Sequence, residues 1–160
     1  TYMMASGLSA AASVRVGNQY GLKSSRGVRA AGFSVFVMVI LFMSFTAACF
    51  VVFRNFLPTL FNNDPEVIMV SSSLLIVAAF FQLSDGVQVV ALGALRGIRD
   101  VKIPTIITLV AYWIIGLPMS YVFAFTLNMG ILGVWYGLFL GLTTAAVLLF
   151  LRFNFISKQI

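Results

Sequence analysis

Histidine is absent from this 160-residue chain, and cysteine occurs once, at Cys49 in the middle of an apolar run. Ser–His and Cys–His catalysis therefore lack a base, zinc lacks its usual ligand set, and no disulfide is available. Acids are nearly as scarce, with Asp64, Glu66, Asp85 and Asp100 making up the full complement. With no nucleophile–base set and no metal cluster, no enzyme is expected, and no cofactor. Charged residues amount to 9% of the chain against 61% hydrophobic, and the mean hydropathy is +1.07. A water-soluble domain has roughly 25% charged and 45–50% apolar residues, so this is the composition of an integral membrane protein. The formal charge of +6 is not a nucleic-acid signal, because its placement is topological. Thr1 is not an initiator methionine and no basic stretch precedes an apolar one, so no signal peptide is expected. The chain is expected to begin inside a helix.

What is present is a series of long apolar runs. Residues 1–14 are small and apolar, too short to cross a hydrocarbon core of ~30 Å, and are expected to be the end of a packed helix. Residues 15–29 carry Arg15, Lys23, Arg26 and Arg29 without an acid and form the first expected loop. Four spans follow, at 30–53, 67–95, 103–127 and 131–151, and residues 152–160 form a tail. Lysine and arginine number four, one, three, none and two in the successive loops and the tail. That alternation places 15–29, 96–102 and the C-terminus on the cytoplasmic side, with 54–66 and 128–130 facing outward.

Asp85 is the one acid or base in the interior of any of these spans. A carboxylate near the bilayer centre costs roughly 2.5–3.5 kcal/mol on insertion scales, so such a residue is a functional-site hypothesis by default. At ~1.5 Å per residue it lies ~16 Å along the helix from Arg96, near mid-membrane and too far from that arginine to pair with it. Gln82 and Gln88 each lie about 60° from it around the helix, giving a polar stripe. There, Asp85 either takes up a proton or is held ionised by a cation or by a partner on another helix, and both behaviours suit ion coupling. The plainer alternative is a carboxylic acid hydrogen-bonded to a neighbouring helix.

Other features concern packing and motion. Gly133, Gly137, Gly141 and Ala145 repeat every four residues and line a smooth face for close helix crossing. Pro118 removes an amide donor and crowds the carbonyl of Ile114, so a kink is expected there, eased by Gly116. The pair is a hinge candidate. Phe81 lies on the Asp85 side of its helix, and Tyr112 and Trp113 lie within the third span. All three are candidates for a substrate cavity, where the aromatic faces would attract a cationic guest, although packing or lipid contact would also account for them. Trp135, Tyr121 and Tyr136 read as interfacial belt residues.

The segments SVRVGNQYG, FFQLSDGVQVVALGALRGIRD and YWIIGLPMSYVF together resemble the MATE family of multidrug and toxin extrusion transporters, most closely its NorM-like branch. The resemblance implies an all-α, polytopic membrane fold of twelve helices in two six-helix lobes. This chain would supply the end of the eighth helix and helices nine to twelve, part of the C-terminal lobe. Its partners would be the lipid bilayer, small cationic substrates, and the N-terminal lobe and earlier helices of the same protein. The implied activity is export of organic cations across a bacterial inner membrane in exchange for Na+ or H+, with Asp85 in the cation-coupling site. Family members often carry a tyrosine where Phe81 stands, and a second acid on an earlier helix. A flippase for lipid-linked precursors and a non-transporting scaffold are the alternatives.

Overall fold

The computed structural model describes residues 1–160, and it is entirely helical. Helix α1 spans Tyr2–Gly21 and α2 spans Ser25–Val52. A 3-10 turn at Pro58–Leu60 precedes α3, Pro65–Gly97. The third apolar helix, α4, runs from Lys102 to Thr126, and α5 spans Gly130–Ile156. From α2 onward the four are long and apolar enough to cross a membrane.

Local chemistry sets the ends. Ser24 caps α2 by accepting from the Gly27 amide at 3.1 Å, and Asp64 caps α3 by accepting from the Glu66 amide at 3.0 Å. Pro65 then occupies the first turn of α3, where its missing N–H costs nothing. Between α4 and α5 the chain reverses through Asn128 (φ 53°) and Gly130 (φ 57°), left-handed conformations that asparagine and glycine tolerate best.

One boundary differs from expectation. The segment expected as a loop at 15–29 is mostly helix: α1 continues to Gly21, and α2 has begun by Ser25, leaving a break of three residues. Charge at Arg15 marks where the apolar stretch ends, and a helix continues past that point because an exposed arginine is a good helix former. At Pro118, where a kink eased by Gly116 is expected, the helix is continuous, and α4 alternates between α-helical Lys102–Val110 and Leu117–Tyr121 and π-helical Ala111–Gly116 and Val122–Thr126. The wider π turn leaves the pyrrolidine ring room beside the carbonyl of Ile114.

Packing divides into two modes. Helices α1, α2 and the second half of α3 enclose the main core, with α1 and α3 running parallel. Ser9 Oγ donates to the Val89 carbonyl at 2.7 Å, and Gly97 rests against the backbone of Ser13 and Gly17. The end of α5 completes this core with Leu149 and Phe153, both fully buried. Phe36 meets Phe150 edge-on at 5.1 Å and Phe153 at 5.7 Å. Elsewhere α5 lies backbone to backbone on α4. A Cβ at Gly137 would collide with the backbone of Ser120, and one at Gly141 would come within 2.7 Å of Gly116 Cα. Here the glycines spaced four residues apart act as a contact surface.

Three basic segments gather at one end of the bundle. Arg152 Nε donates to Asp100 Oδ2 at 2.9 Å, Arg29 to Asn154 Oδ1 at 3.2 Å, and Ser25 Oγ to the Ser157 carbonyl at 2.7 Å. The lateral surface is apolar and exposed, as at Leu41, Phe45 and Ile114, which suits a lipid environment.

Candidate functional site

Helix α3 is the scaffold of the site. Gly86, next to Asp85, is pressed by α2: a Cβ there would lie 2.8 Å from Met43 Cγ and 3.0 Å from Val39 Cγ2. Phe81 and Ser84 face α5, where Phe81 meets Trp135 edge-on at 5.8 Å and Ser84 shares a hydrogen bond of 3.0 Å with Thr143. Asp85 occupies the remaining side. It is half-buried, whereas Gln82 and Gln88 are each 6% exposed.

The two amides differ in their partners. Gln88 Oε1 accepts a hydrogen bond of 2.9 Å from the Tyr112 hydroxyl on α4. Both side-chain polar atoms of Gln82 are buried and without a partner. Asp85 has no ion-pair partner, because the single salt bridge of the chain joins Arg152 to Asp100. Arg96 turns back on its own helix, donating from Nε to the Leu92 carbonyl at 3.3 Å. No cluster of three or more histidine, cysteine or acidic side chains is present.

Below Asp85, towards the basic end, a cavity of about 540 Å³ opens between α1 and α3. Its walls include Ser6, Ser9 and Ser13 from one helix and Val89, Leu92 and Arg96 from the other. Residues 85, 89, 92 and 96 follow the spacing of one helix face, so the cavity continues the face that Asp85 occupies.

The structure therefore brings Gln82, Asp85, Gln88 and Tyr112 into one neighbourhood and leaves other candidates apart. Trp113 is 67% exposed on the outer surface of α4 and makes no aromatic pair or hydrogen bond with this group. Phe81 is packed against Trp135. Trp135 is thus a packing partner of Phe81, and it lines an apolar cavity of about 510 Å³ with Leu57, Phe61, Leu74 and Leu75. Gly116 is buried at the α4–α5 crossing, while Pro118 is exposed beside it. Nothing in the spacing of Tyr112 and Gln88, 24 residues apart on different helices, announces their bond.

Comparisons with known proteins agree with this architecture. The family model described as MatE matches residues 1–122. Multidrug resistance protein MdtK of Yersinia pseudotuberculosis is 40% identical over 162 residues, covering 99% of this chain and 35% of the relative. The MdtK of Yersinia enterocolitica is 39% identical with the same coverage. The chain thus spans about a third of the length of the curated relatives it matches. The crystal structure of the eukaryotic MATE transporter AtDTX14 superposes with a TM-score of 0.88 at 26% identity, over 99% of this chain and 36% of that one. An inward-facing multidrug resistance MATE family transporter of the MOP superfamily gives 0.84 at 19% identity, over 94% and 35% respectively, a likeness of fold alone. By sequence along most of its length and by the arrangement of its helices, the chain belongs to the MatE family.

Proposed function

We propose that this chain is part of the C-terminal lobe of a secondary active antiporter of the bacterial inner membrane, with its C-terminus cytoplasmic. The whole protein exports organic cations in exchange for Na+ or H+, and Asp85 is the coupling-ion site, flanked by Gln82 and Gln88. The observation that carries this is a carboxylate without a counter-ion, set between two buried amides in the middle of a long apolar helix. Membership of the MatE family and relatives named as multidrug resistance proteins support the transport reading.

The chemistry is exchange of one positive charge at one carboxylate. With a proton or a cation bound, Asp85 is neutralised and tolerated in an apolar span; released, it is a bare anion that favours a wetter arrangement. Two lobes moving around a central site convert that difference into alternating access. A flippase for anionic lipid-linked precursors would need cations within its spans. Residues 30–53, 67–95, 103–127 and 131–151 contain neither lysine nor arginine.

The test is Asp85→Asn in the full-length protein. Coupled efflux of a cationic dye is expected to fall to background while membrane-inserted, monodisperse protein is recovered at wild-type yield. Dye export at the wild-type rate would refute the assignment. Removing sodium at a fixed proton gradient then identifies the ion, since efflux is lost for sodium coupling and persists for proton coupling.

A further inference from the structure

We infer that Tyr112 is a positioning residue of the coupling-ion site, acting through its hydrogen bond to Gln88, and that it makes α4 responsive to the occupancy of Asp85. This rests on the reading of Asp85 given above. It moves Tyr112 out of the substrate cavity, where its ring alone would have placed it.

The contact is specific. The Tyr112 hydroxyl donates to Gln88 Oε1 at 2.9 Å, the one side-chain to side-chain hydrogen bond that α4 makes with another helix. Gln88 is buried, so this bond fixes which way its amide faces. With the carbonyl oxygen engaged by the phenol, the NH2 group has no protein acceptor. Its neighbour one turn back on α3 is Asp85, because residues three apart share a helix face. No hydrogen bond joins the two side chains in this structure, but an ionised carboxylate has free lone pairs that can accept from that NH2 group, whereas a proton or cation on it occupies those lone pairs. A change at Asp85 therefore reaches the Gln88 amide and, through it, the phenol.

The receiving end is built to move. Tyr112 sits in the π-helical stretch Ala111–Gly116, a register that occurs mostly as short insertions at functional sites. The same stretch bears directly on α5, with Gly116 Cα and the Ala111 carbonyl against Gly141. A pull on Tyr112 is thus applied where α4 meets the fourth span. The spans hold no lysine, arginine or histidine, so no other charged side chain within them competes for Asp85.

The experiment uses the full-length protein in proteoliposomes, with the coupling-ion concentration and the dye concentration varied separately. Tyr112→Phe keeps the aromatic face and loses only the hydroxyl. The coupling-ion concentration for half-maximal efflux is expected to rise about five-fold, the range of one neutral hydrogen bond, with the dye KM unchanged. Gln88→Ala should give the same shift, and the double variant should be no worse than either single one. An unchanged ion dependence in both single variants, or a raised dye KM in Tyr112→Phe, would overturn the inference. Asp85→Asn run in parallel separates the two levels. Loss of efflux in Asp85→Asn with a silent Tyr112→Phe removes only the role of Tyr112, whereas wild-type efflux in Asp85→Asn removes the coupling site itself.

Discussion

The basic end of the bundle and the α4–α5 crossing are held together by different means. At the basic end, side chains do the work: Phe36, Phe150 and Phe153 pack edge to face, and Arg152, Arg29 and Ser25 tie α2 and α5 to each other and to the α3–α4 turn. At the crossing there are almost no side chains between the helices. Gly137 and Gly141 let the backbone of α5 lie on that of α4, and Ser120 Oγ is shared between the Gly116 carbonyl at 2.8 Å and the Val134 carbonyl at 3.1 Å. A jigsaw of large side chains has one good arrangement. A smooth backbone surface leaves sliding room along its length. Asp85 stands between the two regions, anchored through Gly86 to the first and linked through Gln88 and Tyr112 to the second.

Three substitutions test that contrast in the full-length protein. The largest effect is expected for Gly137→Val, because the added side chain would displace the backbone of Ser120 and has no flexible neighbour to push aside. Overpacking costs about 1–3 kcal/mol where side chains can repack, and more where backbone must move; folded protein should be lost in size-exclusion profiles after mild heating. Phe153→Ala comes next. The same truncation in a water-soluble core costs roughly 3–5 kcal/mol. Here the penalty is smaller, because the helix faces would otherwise be in lipid rather than water. A lowered melting temperature with normal insertion is the expected readout, and an unchanged one would show that the aromatic cluster is not what fixes the basic end. Arg152→Gln should cost least, about 1 kcal/mol, since its ion pair with Asp100 is partly exposed. Its effect should shrink in high salt.

Much of this was legible in the sequence. The apolar runs gave the spans, the alternating lysine and arginine counts anticipated that three basic segments meet at one end, and the glycines spaced four residues apart marked the α5 contact face. The angular relation of Gln82, Asp85 and Gln88 followed from helix geometry alone. What stayed hidden depends on neighbours. The extension of α1 to Gly21 is hidden because a charged, glycine-bearing stretch has the composition of a loop. The π-helical turns of α4 lie where α5 comes closest, with Ala111 and Gly116 against Gly141 and Phe123 and Ala124 against Gly133, and a single-helix argument sees only Pro118. The Phe81–Trp135 and Tyr112–Gln88 contacts depend on how separate helices are rotated against one another, which periodicity within each helix does not specify.

The turn between α4 and α5 has a consequence for how the protein is made. Only Leu127, Asn128 and Met129 separate Thr126 from Gly130. Three extended residues reach about 10–11 Å, about one helix diameter. The two spans can never be far apart at that end, and their glycine face has its partner waiting beside it. The two spans are therefore expected to insert as a single hairpin. The buried hydroxyl of Ser120, poorly suited to a solitary helix in lipid, is covered within that hairpin by the segment that accommodates it.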